Sequence, residues 1–493
     1  MGKVIQIPSD PNILLSSIDD SLNVIEEEIP VKTVYGEALV SSETPFVQST
    51  PTYGLIPANF REFTSLGGST SVDERLFTVN TGVTPFGYGA IQSFRSLNYK
   101  SGKGASIKFS ALFEDNIENS WTGVGLVNIS DELSFGYNGT VFGIWHRYGG
   151  ISAVRTITVT VASAGSTNLT LTLDSVAYVI PLTAGTTAHN AYQIEAWLNA
   201  NQGVWVANQI DNTIIVSAQS DGAKAGTYSY VHATSTGSIA TTTVGLTKTS
   251  KHIPQNEWNK DVFSNLDPSK LNLYKIVYDD NANFYVANED TGGYKLVHVV
   301  KWLNTETRAL LNNPSLRFGI YGASIGSTTD LTIKCGFVNL SLQGDLSKNR
   351  NPRAVKRTQT VTTNFINILT IRNRDTYNGF YNQIEILPIF LSIASESTKN
   401  VEIEVRANPT FSGETNFTSA GANLVSDVDF TANIVSGGTL LTGFSLGSTA
   451  SKDINLKSFD ITIPPGLIVS VCGRVTSGSN ASLTGAFTYY EDI

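Results

Sequence analysis

The chain has 493 residues, a formal net charge of −9, and 15% charged residues against 41% hydrophobic ones. An acidic balance excludes the basic footprint of a nucleic-acid binder, and no window of about 18 apolar residues is present to span a membrane as a helix. Charge this far below the ~25% of an average chain, replaced by Ser, Thr, Asn and 42 Gly, suits β-domains that bury surface in an assembly better than a soluble enzyme.

Residues 1–62 read as an N-terminal anchor arm. Asp10-Pro11 is a helix-start signal, and Leu15, Ile18, Leu22 and Ile25 follow at spacings of three, four and three. That is a two-heptad apolar seam ended by Pro30. A short helix is therefore expected, packing on the chain's own body or acting as an oligomerisation or docking element. The stretch after it, "SSETPFVQSTPTYGLIPANF", is punctuated by prolines and reads as extended. "MGKVIQIPSD" has no apolar h-region, so cytoplasmic synthesis is expected rather than secretion.

Residues 63–150 turn to short alternating runs such as "GASIKFSALFE" and "TGVGLVNI", the pattern of a β-sandwich. The run "FGYNGTVFGIWHRYGG" (135–150) closes this block. Asn138-Gly139 is a type I′ hairpin signal, because both central residues need φ > 0. A two-residue loop there sets Tyr137 opposite Thr140, Phe135 opposite Phe142 and Leu133 opposite Ile144, all on the core face. Gly136 and Gly143 then leave the reverse face nearly bare beside Trp145. A bare face admits a neighbouring sheet, another subunit or a sugar ring, and Trp121 and Trp145 offer aromatic surface there.

Residues 151–250 are rich in Thr, Ser, Ala and Gly. "TTAHNAYQIEAWLNANQG" reads as a helix capped by Thr187, with Ala191, Ile194 and Leu198 on one face and Gly203 as its stop. Strand runs flank it, giving a small ββαββ-like domain inserted into the sandwich, which resumes over 251–345. The run "KNRNPRAVKR" reads as a basic linker over 346–357. Residues 358–493 form a C-terminal β-sandwich, with a sharp corner at Pro464-Pro465-Gly466. The expected fold is mainly β: tandem antiparallel jelly-roll or lectin-like sandwiches, an inserted α+β domain and an N-terminal arm.

Little in the chain reads as chemistry. His146 falls opposite Asp131 by register, but no G-x-S-x-G elbow supports a triad, and a structural histidine is the favoured reading. Glu114, Asp115 and Glu118 crowd one polar loop, where a glycosidase needs two carboxylates flanking a cleft. Asp279, Asp280, Asn281 and Asn283 lack the glycine and glutamate of a calcium loop and read as a hairpin turn. Cys335 and Cys472 stand far apart and read as buried thiols. No catalytic residue, cofactor or metal is expected.

The runs "SFGYNGTVFGIWHRYGG", "LDPSKLNLYKIVY" and "YKLVHVVKWLNTETRALLNNPSLRFGIYG", with the Thr-rich insertion between them, resemble a module of tailed-bacteriophage virion proteins, including those of crAss-like phages. The resemblance spans roughly 85–345. It implies a particle component located in the virion: a head fibre, a decoration protein or a tail appendage. Residues 1–62 would bind other capsid or tail proteins, the β-domains would project, and a symmetric homo-oligomer, a trimer by preference, would carry them. A host-surface glycan is the further expected partner. A tail fibre or tailspike with polysaccharide-degrading activity is the alternative, and no fixed-period β-helix repeat supports it.

Overall fold

In the computed structural model the chain is described over residues 43–493, apart from 57–58, 98–103, 115–116, 202–203, 280, 289–291, 303, 344–349, 378–379, 383, 432, 460 and 493. Before residue 43, only the backbone of 4–5, 13–18 and 21–26 is described. Strands dominate, and Thr187–Asn201 (α1) is an α-helix of 15 residues. Among the described residues, no helix is long and apolar enough to cross a membrane.

The N-terminal helix expected from Leu15, Ile18, Leu22 and Ile25 is replaced by extended chain. Ile13–Ile18 and Ser21–Glu26 pair antiparallel with Leu15 opposite Val24, and Val4–Ile5 pairs with the first of them. Ile13, Ile18, Val24 and Ile25 are β-branched and favour strands. The seam offered only two heptads, too little to hold a helix in water.

The first sandwich sets two sheets face to face. One has seven strands: Phe60–Ser65 (β1), Tyr88–Ser96 (β2), Ser120–Val127 (β3), Glu132–Asn138 (β4), Val141–Tyr148 (β5), Thr249–Pro254 (β6) and Arg317–Ser324 (β7). Their spatial order is β6-β5-β4-β3-β7-β2-β1. The facing sheet is built on Ala105–Phe113, Asn272–Tyr278 and Thr332–Gln343. Period-two alternation sends one side chain in two inward. The core so formed is aromatic: Phe77, Phe109, Phe113, Phe135, Phe284 and Phe318 are fully buried. Phe109 stacks on Tyr274 at 5.6 Å, and Phe135 meets Phe284 edge-on at 5.3 Å.

β5 and β6 are hydrogen-bonded neighbours, with Tyr148 opposite Thr249. The chain between them leaves the sheet and returns to the adjacent position, so it forms an insertion. It carries a four-stranded sheet, a three-stranded sheet and α1, closed over its own apolar core. Three strands precede α1 and four follow it, three more than the ββαββ reading. Ala191, Ile194 and Leu198 are buried as their spacing requires. The cap is Thr186 rather than Thr187: its Oγ1 accepts the His189 backbone N–H at 3.1 Å.

The basic run is not a linker over the residues that are described. Arg350–Val361 is a strand paired along its length with Ala481–Asp492, and it forms an edge of a four-stranded sheet. Exposed Arg353 and Lys356 and the imino Pro352 discourage further pairing along that edge. Residues 346–349 lie outside the described ones. A second sheet, including Ile366–Asn373, Val401–Ala407 and Ile468–Val475, completes the C-terminal sandwich. Pro464-Pro465-Gly466 does turn a corner: Gly466 sits at φ +85 and donates its N–H to Asn373 O at 2.8 Å.

The sandwiches meet through polar contacts. Arg61 Nη2 donates to Pro465 O at 3.1 Å, and Arg95 Nε to Glu385 Oε1 at 2.7 Å.

An aromatic and guanidinium cluster on the outer sheet face

The β4–β5 hairpin positions the cluster. Its register is Asn138 opposite Val141, Tyr137 opposite Phe142 and Phe135 opposite Ile144. The turn residues are therefore Gly139 and Thr140, one place later than the Asn138-Gly139 reading, and every facing pair moves by two. Gly139 has φ +60, while Thr140 has no positive φ. This is the type II′ requirement, glycine at the first central position, in place of type I′. A shift of two preserves the faces. Phe135, Tyr137, Phe142 and Ile144 still enter the core.

The glycines on the reverse face do not leave an open seat. A Cβ on Gly136 would stand 2.0 Å from Thr122 O, and one on Gly143 would stand 2.2 Å from Ile253 O. Both glycines are buried, and their space is taken by the backbones of β3 and β6. Aromatic rings fill the rest of this face. Trp145 Nε1 donates to Thr122 O at 2.9 Å, so its indole, rooted on β5, reaches across β4 to β3. The Tyr321 ring covers Gly123, where a Cβ would meet Cε1 at 2.4 Å.

Glu132 and Arg147 lie opposite each other on this same face. Arg147 Nη1 donates to Glu132 Oε2 at 2.9 Å and to Tyr321 Oη at 3.0 Å, and its Nε donates to Ser250 Oγ at 3.0 Å. Glu132 Oε1 accepts from Tyr321 Oη at 2.7 Å and Ser134 Oγ at 2.5 Å. Burial alone would raise the Glu132 carboxyl, but Arg147, Lys248 and the two hydroxyls bring it below the usual range. Glu132 in turn raises Arg147 against the effect of burial. The pair is thus ionised and mutually neutralised. The guanidinium carbon sits 3.8 Å from the Trp145 ring centroid and 5.1 Å from that of Trp121. Arg147 is 6% exposed, and its Nη2 has no hydrogen-bond partner.

Trp121 is the accessible member of the group at 36% exposure. It meets Trp145 edge-on at 6.3 Å and lies opposite the exposed Asn138. Of the expected contact residues, the structure therefore brings Trp121 and Trp145 together and walls Gly136 and Gly143 in. Leu15, Ile18, Leu22 and Ile25 sit on the described N-terminal backbone, far in sequence from this face. The sequence reading missed Glu132, Arg147 and Tyr321. The available signal was parity: Glu132 and Ser134 alternate with core residues on β4, as Trp145 and Arg147 do on β5.

The remaining candidates are structural. His146 faces Leu133, not Asp131. Its Nε2 lies 3.4 Å from Leu310 O, and its ring packs 4.7 Å from Tyr148. Asp131 instead accepts backbone N–H groups from Gly149, Asn312 and Asn313. Glu114 pairs with Lys334 at 3.1 Å, Glu118 is exposed, and Asp115 lies outside the described residues. Asp279 accepts the Asn281 N–H at 2.9 Å, as a turn residue does; Asp280 lies outside the described residues. Cys335 and Cys472 are buried free thiols. Among the described residues, no group of three or more His, Cys, Asp or Glu could hold a metal ion.

No family model and no curated protein matches the chain. Solved structures match the chain at low similarity. One comes from work on endo-acting O-glycanases of the human gut microbiota that initiate mucin breakdown: 9% identity, TM-score 0.31, covering 61% of this chain and all of that one. A pseudo β-1,3-glucanase of Mycobacterium tuberculosis matches at 10% identity and TM-score 0.27 over 59% of this chain and 92% of its own. The Bauhinia forficata lectin, solved with GalNAc, matches at 11% identity and TM-score 0.23 over 62% of this chain and 99% of its own. The molecule is a mainly β protein of antiparallel sandwiches; the sugar chemistry named for those proteins is theirs.

Proposed function

We propose that this chain is a non-catalytic structural component of a bacteriophage particle, of head-fibre or decoration type, whose first sandwich contacts host-surface glycans through Trp121. The observation that carries the glycan reading is the exposed Trp121 indole, held edge-on by Trp145 above a fully packed, uncharged-in-sum cluster. An exposed aromatic face beside the Asn138 amide is the pairing a pyranose uses: stacking for its C–H face and a hydrogen-bonding group at its edge. The particle role is supported by the sequence resemblance over 85–345, the low charge and the serial β-domains. Residues 1–62 are proposed to anchor the chain and a symmetric homotrimer to project it.

The tailspike alternative needs two carboxylates about 5–9.5 Å apart across a cleft. The cluster holds one carboxylate, Glu132, and its lone pairs are taken by Arg147, Tyr321 and Ser134. This favours binding without cleavage.

Two measurements test the reading. A glycan array probed with the full chain should show retained spots that Trp121→Ala abolishes; a blank array would remove the glycan role. Deleting residues 1–30 should leave folded β-domains that no longer enter the particle. Normal incorporation of the truncated chain would overturn the anchor.

A further inference from the structure

We infer that the Trp121 site selects neutral sugars over acidic ones, with Arg147 Nη2 as a directional hydrogen-bond donor to the ligand. This rests on the glycan reading above and deepens it. A lone arginine beneath a tryptophan would ordinarily point to an anionic sugar. Here the charge is already consumed, because Glu132 sits 2.9 Å from Nη1 and is itself held ionised. A sugar carboxylate brought to Nη2 would lie beside a second carboxylate in a water-poor setting, where like charges repel strongly.

What remains available is a donor without an acceptor. Nε and Nη1 are both used, while Nη2 is buried and unpartnered. A buried N–H left unpaired is unfavourable, so an incoming acceptor gains more there than at a solvated donor. Trp121 is what a ligand must move to reach it: the indole stands over the guanidinium and is partly exposed, whereas Trp145 and Tyr321 are buried and anchored by hydrogen bonds. A turn of Trp121 about its side-chain bonds would present Nη2 to a hydroxyl or acetamido oxygen and keep an aromatic face for the ring.

The test uses the full chain on an array of neutral hexose, N-acetylhexosamine, hexuronate and sialylated oligosaccharides. The best neutral and acidic ligands are then titrated while tryptophan fluorescence is followed at low and high salt. The neutral ligand should bind about tenfold or more tightly than its acidic counterpart, perturb the fluorescence, and keep its affinity in high salt. Arg147→Lys, which keeps the charge and removes Nη2, should weaken neutral binding about tenfold. Should that variant misfold, Trp121→Ala, at the surface, should remove both the binding and the fluorescence change. Tighter, salt-sensitive binding of acidic sugars overturns the inference and leaves the glycan reading standing. Binding of no sugar overturns both.

Discussion

Arg372 of the C-terminal sandwich grips Glu195 of α1 through one nitrogen: Nη1 reaches Oε1 at 2.5 Å and Oε2 at 2.7 Å. Its Nη2 bonds Asp427 Oδ2 at 2.7 Å and Gln209 O at 2.5 Å, and Phe417 packs on the guanidinium at 4.0 Å. All three charged residues are buried. Burial alone would lower the guanidinium, but Glu195 and Asp427 more than reverse that, so it stays charged. One side chain thereby ties the insertion to the C-terminal domain. Arg372→Met leaves the buried Glu195 without its cation and Asp427 with Arg374 alone, and should destabilise the chain by about 3–5 kcal/mol in urea unfolding. Adding Glu195→Gln should recover part of that loss, because the two sites are coupled. Strictly additive losses would show that the pair does not interact.

The glycines of β4 and β5 make a second prediction. Gly136→Ala and Gly143→Ala drive a methyl group into fixed backbone oxygens. Each should destabilise by about 1–3 kcal/mol or more. Gly447→Ala, with nothing within 4 Å of the new methyl, should stay within about 0.5 kcal/mol of the parent. Thermal melts of the three variants separate the outcomes. Neutral substitution at Gly136 would mean that the sheet face is open there.

The insertion makes a third. Tyr148 and Thr249 lie opposite each other on neighbouring strands, so replacing residues 149–248 by a two-residue Asn-Gly turn closes β5 onto β6 as a hairpin. The shortened chain should keep its β-type circular dichroism and a cooperative melt. Loss of cooperative unfolding would mean that the insertion is part of the sandwich's own stability.

Much of the architecture was legible in the sequence because sandwiches are written in local signals: period-two alternation, turn residues and a helix stripe. The burial of Ala191, Ile194 and Leu198 followed from spacing alone. What failed was decided by pairing. Asn138-Gly139 is a strong turn signal, yet Gly139 at the first central position of a type II′ turn serves equally well, and nothing local separates the two registers. The run 350–357 looks like a linker by composition; its long partner, Ala481–Asp492, lies over a hundred residues away and makes it an edge strand. The heptad seam at Leu15 to Ile25 was too short for helix propensity to win over β-branched residues. The site failed for a similar reason. Glycines signal that something comes close, and here it is Thr122 O and Ile253 O, contacts set by strand order. The Glu132–Arg147 pair depends on the hairpin's true register, so a register displaced by two hid it.

Acid should destabilise the fold through its buried histidines. Burial pushes His146 and His298 down to about 4 from the ordinary 6.5. The geometry agrees: His298 Nδ1 accepts the Asn259 N–H at 3.2 Å, which requires that nitrogen to be unprotonated. Around His146, Lys251, Arg308 and His298 add to the disfavour for a second proton. The unfolded chain takes up protons at these rings as pH drops through 6.5, while the folded chain resists until about 4. Stability from this source is therefore complete above about pH 6.5, falls between 6.5 and 4, and levels off below. A displacement of this size corresponds to on the order of 3 kcal/mol per histidine. Urea unfolding from pH 7.5 to 4.5 should show the decline. His298→Gln, whose side-chain oxygen can still accept from Asn259, should make it shallower; a slope unchanged in that variant would place the acid sensitivity elsewhere.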